Sequence, residues 1–250
     1  MASTKFCDLQ PFLDHLTEQV ENRAPYIWSG QGQILGELDI NEIFGMVDTR
    51  KNTSTVFAHL AELAADAKFN PSVTQVFDCS GLESYWLYNK AKVLAWDHNA
   101  DAFMKECVII DGKYRQPGDF VFRSITDKGV AKHMGTVVAD KTVTEARGSA
   151  YGVVNRAYAD GKWQKVGRPP YFAYIMTRSL SKGCIGDDVG QLQARLTYFG
   201  FPCGSVDNDF GAKTQSAVKA FQKNNKLTSN GVVDEKTALK LGFKYNVKTS

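Results

Sequence analysis

A cysteine in the tetrapeptide Asp78-Cys79-Ser80-Gly81 heads an amphipathic run, residues 82–90, with helical spacing. Asp78 is a good N-cap type, so the spacing predicts a helix starting at or next to Cys79. A thiol there faces the positive end of the aligned peptide dipoles, which lowers its pKa and favours the nucleophilic thiolate. Downstream, His133 opens the alternating run 132–138 and Glu145 lies in the run 142–146, both of which read as strands. Thiol, imidazole base and orienting carboxylate thus occur in one chain order, the set that nucleophilic acyl transfer needs. Alternation puts Val143 and Glu145 on one face. Gly81 leaves the helix start uncrowded for a substrate backbone, and the amides there suit an oxyanion. His98, in the polar stretch 96–99, is the rival base.

The elements that must position these groups are readable in outline. Leu9, Phe12, Leu13, Leu16 and Val20 recur at helical spacing, so residues 8–23 form an amphipathic helix carrying His15, with Pro11 in its first turn. A second helix covers 55–68, built on Val56, Leu60, Leu63 and Ala64 and carrying His59; a third lies around 101–106. From 119 to 174 short alternating runs separated by turns predict an antiparallel sheet of five or six strands. Helices first and strands later make an α+β domain, 1–177. A polar, glycine-containing linker, 178–184, leads to a second domain, 185–250, with helices over 186–196, 214–222 and 235–241. Two half-similar units occur there, Val206-Asp207 through Phe210-Gly211 to Thr214, and Gly231-Val232-Val233-Asp234 to Thr237.

Composition excludes several classes. With 43% hydrophobic residues the chain supports a real core, and its net charge of +3 makes no case for nucleic acid. No apolar run is long enough for membrane insertion, and the stretch 1–10 has no basic segment followed by an apolar one, so no signal peptide is expected. The five cysteines form no CxxC pair and read as reduced thiols. No metal site is expected: HExxH is absent, and Asp207-Asn208-Asp209 lacks the twelfth-position acid of a calcium loop. P-loop and dinucleotide fingerprints are absent too, and no cofactor is expected.

Taken together, the ordered segments resemble the NlpC-like cell-wall cysteine peptidases, the bacterial branch of the papain-like fold. The match runs over roughly 5–177. It rests on Pro25-Tyr26-Ile27-Trp28-Ser29-Gly30 ahead of the nucleophile, the Asp-Cys-Ser-Gly motif, the turn Pro117-Gly118-Asp119 entering a core strand, the histidine strand and the acid strand. The resemblance implies Cys79 as nucleophile, His133 as base and Glu145 as the acid holding its second nitrogen; the base follows the Pro-Gly-Asp turn, which favours His133 over His98. It also implies substrate contacts for Tyr26, Asp78 and Ser80. Two departures stand out. The segment 33–75 is longer than usual, and the third triad position, often His, Asn or Gln, is Glu145. Residues 183–242 resemble the three-helix peptidoglycan-binding domain. The resemblance implies a monomeric hydrolase of the stem peptide, at the bond between D-glutamate and the diamino acid, with peptidoglycan as partner. The alternatives are an N-acetylmuramoyl-L-alanine amidase with the same triad, and an inert wall-binding protein. With no leader expected, the pattern looks like a phage endolysin, made in the host cytoplasm and released to the wall by a holin.

Overall fold

A computed structural model describes residues 5–47 and 50–247, with the side chains of residues 50 and 51 outside the description. The first four residues of the stretch read for a leader lie outside the described residues. The elements run α1 (Leu9–Glu21), β1 (Gln31–Ile34), α2 (Ile40–Met46), α3 (Arg50–Ala64), β2 (Gln75–Phe77), α4 (Gly81–Ser84), α5 (Ala100–Glu106), β3 (Val108–Ile110), β4 (Phe120–Arg123), β5 (His133–Ala139), β6 (Thr142–Ala146), β7 (Val153–Ala157), β8 (Lys165–Arg168), β9 (Ile175–Met176), α6 (Asp187–Tyr198), α7 (Ala212–Asn224), α8 (Glu235–Lys240) and β10 (Lys244–Tyr245). The central sheet has six strands in the order β3-β8-β4-β5-β6-β7, every neighbour antiparallel.

Period-two alternation divides this sheet into two working faces. Phe120, Phe122 and Met134 join Phe12 and Leu16 of α1, Leu82 of α4 and Phe103 of α5 in one core. Val121, Val137, Val143 and Val166 turn the other way and pack against Ala194 of α6 and Val206. The C-terminal helices therefore cover one end of the sheet's second face.

Residues 178–184 join the two parts, with Leu180 as their buried anchor. Leu180 is fully buried and bridges Val233, while β9 pairs with β10 in parallel. Arg195 is the pin of the junction. Buried itself, it donates to the Phe172 carbonyl at 2.6 Å and the Leu241 carbonyl at 2.9 Å, with its guanidinium over the Phe6 ring. Arg168 and Asp119 form a second buried anchor, two-pronged at 2.8 Å on each prong. The Asp is the one in the Pro-Gly-Asp turn. Beside it the Gln116 amide donates to the Asp187 carbonyl on α6 at 3.1 Å.

Inside the C-terminal part the two half-similar units are two copies of one lock. Buried Gln193 donates to the Asp207 carboxylate, the Asp209 carbonyl and the Thr214 hydroxyl, and accepts from the Asp207 and Asn208 amides. Gln222 does the same with Asn230, Val232, Thr237 and Gly231. Asp207 and Asn208 thus serve a loop. All five cysteines are free thiols.

Two helices differ from expectation. The run 82–90 is α-helical only over α4, then continues as a π-helix over Tyr85–Lys90, whose wider turn carries no 3.6-residue signature. The insert helix begins earlier, at Arg50, and ends at Ala64.

Because one apolar core runs through both parts, the full chain is expected to unfold in urea as a single cooperative transition. Arg195→Met strands two buried carbonyls and should lower stability by about 2–5 kcal/mol. Two separated transitions, with Arg195→Met acting on neither, would show that the junction carries no energy.

Candidate active site

The nucleophile turn is set by a close backbone contact. A Cβ on Gly81 would lie 2.0 Å from the Gly30 carbonyl oxygen, and one on Gly30 would lie 2.7 Å from the Phe77 amide. Two glycines let the aromatic segment press against the turn that carries Cys79, and the Asp78 amide donates to the Gly30 carbonyl at 3.0 Å. The space at Gly81 is therefore filled by the chain itself, where the sequence suggested room for a substrate.

The helix begins at Gly81, later than expected and with Ser80 at its N-cap position, and Asp78 ties the turn ahead of it. Its Oδ1 accepts from the Ser80 amide at 3.0 Å and the Gly81 amide at 2.8 Å, and from the Ser80 hydroxyl at 3.3 Å. Those two amides are thereby occupied, leaving the Cys79 N–H as the backbone donor of this turn, a correction to the expected helix-end oxyanion site. Ser80 is buried and serves the same cap.

The Cys79 thiol donates to the Lys132 carbonyl at 3.7 Å, which places the sulfur beside the start of β5 rather than on the imidazole ring. Burial pushes this thiol up to about 12, helped by the neighbouring charges of Asp78 and Glu83. The expected lowering fails for a physical reason: burial disfavours the thiolate, and two carboxyls lie close.

His133 and Glu145 meet. The imidazole Nε2 lies 2.5 Å from Glu145 Oε2. Nε2–H donating to the carboxylate leaves Nδ1 with its lone pair, the tautomer a base needs. Glu145 is fully buried and accepts from Arg123 at 2.7 Å and Arg156 at 3.1 Å. Burial opposes its ionisation, but the hydrogen bond and charge of His133 and the two guanidinium groups outweigh that and hold its carboxyl below the ordinary value. Trp163 stacks parallel on His133 at 6.1 Å between ring centres and takes Arg123 over its own ring at 5.1 Å. The site thus occupies the open end of the valine face. Arg123, Arg156 and Trp163 were not read as site residues in the sequence. The register of the strands held the clue, since Arg156 pairs with Val143 and Arg123 with His133.

Tyr26 bridges to Phe77 and lines a cleft with His133. His98 is excluded by its bonds: Nδ1 meets the Trp96 carbonyl and Nε2 meets Glu106, each at 2.9 Å, in a buried position. His15 is buried under the Phe77 and Tyr85 rings, and His59 faces Glu62. Among the described residues no group of three or more His, Cys, Asp or Glu side chains could hold a metal ion.

With this geometry in hand, the comparisons with known proteins are direct. Residues 68–168 match the NlpC/P60 family, and residues 185–241 match the putative peptidoglycan binding domain. The chain carries an NlpC/P60 domain of papain-like α+β fold followed by a helical peptidoglycan-binding domain. Among curated proteins it is 41% identical over 58 residues to N-acetylmuramoyl-L-alanine amidase CwlM of Mycobacterium tuberculosis, covering 23% of this chain and 14% of that protein. It is 39% identical over 62 residues to the spore cortex-lytic enzyme of Oceanobacillus iheyensis, covering 25% of this chain and 22% of that protein. The chain thus spans less than a quarter of either relative. Among solved structures, the NlpC/p60 domain of peptidoglycan hydrolase SagA aligns at a TM-score of 0.41 and 12% identity, covering 64% of this chain and 98% of that one.

Under the site lies a buried acid. Thr136 donates to Glu83 Oε1 at 2.9 Å, while Oε2 is sealed off with no partner. Burial pushes Glu83 up to about 8 from an ordinary 4.5, so in that window the folded chain holds a proton that the unfolded chain has released. Stability therefore falls as pH rises through the window. Glu83→Gln should flatten the decline in Tm between about pH 5 and about pH 8. Parallel curves for the two proteins would mean that Glu83 carries no proton there.

Proposed function

We propose that this chain is a peptidoglycan hydrolase that cuts the stem peptide by a Cys-His-Glu mechanism, at the bond between D-glutamate and the diamino acid. The observation that carries the reading is the Cys79 sulfur beside the strand whose first residue, His133, is locked by Glu145. The family match over 68–168 and the peptidoglycan-binding match over 185–241 supply the substrate class.

Burial pushes the thiol up, and attack begins with proton transfer from Cys79 to Nδ1 of His133. The sulfur then bonds to the amide carbon. Collapse of the tetrahedral adduct breaks the C–N bond as the imidazolium returns its proton to the leaving amine. Water, deprotonated by the same nitrogen, attacks the thioester and frees the acid and the thiol. Glu145 holds the ring and stays ionised throughout, with Arg123 and Arg156 balancing its charge. Asp78 and Ser80 shape the turn, and Tyr26 faces the substrate beside His133.

Purified walls treated with the protein should release fragments whose new amino end is the diamino acid, read by mass spectrometry. New ends at L-alanine would instead establish the amidase reading. Cys79→Ala should lose on the order of 10⁴-fold or more in rate with its fold intact. Near-normal clearing by that variant would remove the mechanism, whereas a wild-type protein that clears no walls, and whose Cys79 a thiol probe does not label selectively, would be an inert wall-binding protein. Glu145→Gln should lower kcat by up to about 10⁴-fold without weakening wall binding; full activity would mean another group orients His133.

A further inference from the structure

The long segment between β1 and β2 has a position that bears on substrate choice. Val47, Asn52 and Val56, at the end of α2 and on α3, form one wall of a cleft of about 220 Å³. Tyr26 and Trp28 form another, and His133 with the turn 147–149 completes it. The cleft thus adjoins the imidazole. The imidazole hands its proton to the leaving nitrogen, so the amine-side fragment of the substrate must lie against it.

One side chain lining this cleft is out of balance. Arg23, Arg115, Arg123, Arg156, Arg168 and Arg178 all pair with carboxylates, and Arg195 is spent on two carbonyls. Among the described side chains, Arg147 is the arginine with no acceptor. It is nonetheless held in place. Its guanidinium lies 3.9 Å over the Tyr151 ring, and its amide donates to the Gly152 carbonyl at 2.9 Å. Gly152, at φ +66, sits so close to the end of α1 that a Cβ there would lie 2.4 Å from the Ala24 carbonyl oxygen. The turn is therefore fixed, and the guanidinium is oriented before any ligand arrives.

We propose that Arg147 is a specificity-determining residue that pairs with a free carboxylate on the amine-side residue of the scissile bond, in the cleft walled by Val47, Asn52 and Val56. This rests on the hydrolase reading above. A planar guanidinium with its donors unspent is matched by a carboxylate and not by a carboxamide, which brings no charge and a single acceptor oxygen. Val47, Asn52 and Val56 supply the wall that shields this pairing from water and strengthens it.

The test uses two peptides, L-alanyl-γ-D-glutamyl-L-lysine with its lysine α-carboxyl free or amidated. Wild-type protein should cleave the free acid with the higher kcat/KM. Arg147→Gln should lower kcat/KM on the acid by roughly ten- to a hundredfold while leaving the amide unchanged, and Arg147→Lys should restore part of the loss. Equal losses on both peptides, or no preference in the wild type, would overturn the assignment while leaving the hydrolase reading in place. Binding is measured separately, by tryptophan fluorescence of Cys79→Ala with and without Arg147→Gln. If wild type cleaves neither peptide, the hydrolase reading fails on this substrate. A binding preference for the acid that vanishes with Arg147→Gln would still uphold the subsite, and equal binding would end it.

Discussion

A carboxylate sealed from water has to be answered on every side, and Glu145 is answered by the two strands before it and the one after. Arg123 from β4, His133 from β5 and Arg156 from β7 all converge on this β6 residue. Leaving such a charge unpaired is far more costly than any surface contact, so the four strands have little freedom to slip. A one-residue shift in any of them would turn its contributor to the opposite face. The same register that places the base also lines up Val121, Val137, Val143 and Val166 as the seat for the C-terminal helices. Reactive end and structural end of one face are therefore set by a single alignment.

Cys79 is held by different physics. Two missing side chains, at Gly30 and Gly81, allow a backbone approach that no other residue pair permits, and Asp78 ties the turn from within. Burial and the nearby Asp78 and Glu83 carboxyls push the thiol's pKa up. Beside it the site has an ordered imidazole with Nε2 committed to Glu145.

Much of this was legible in the sequence where a local rule governs. The strand 142–146 was bounded correctly because β-branched alternation flanked by turns has one reading, and the α1 stripe was equally plain. Cys79, His133 and Glu145 stood out as residue types in order. Arg123 and Arg156 did not, because a charged residue on an alternating strand looks like a solvent-facing one until the register is known. The π-helical stretch after Ser84 was hidden for lack of a matching period. Residues 178–184 read as a linker from their glycine and polar content; the burial of Leu180 within it was not legible, because it depends on a bridge partner more than fifty residues away, beyond any local window. The lowered thiol pKa was expected from a helix end alone; the opposing carboxyls lie within reach only once the chain is folded.

The docked C-terminal helices change what kind of tool the molecule is. A blade on a string cuts anywhere within the string's radius. Here Arg195, Leu180 and the Asp119–Arg168 anchor form a bracket instead. Any surface gripped by the helices is presented to Cys79 at one distance and one angle. On a repeating partner, such a bracket picks out positions by the partner's own spacing, as the teeth of a gear choose which notches they meet.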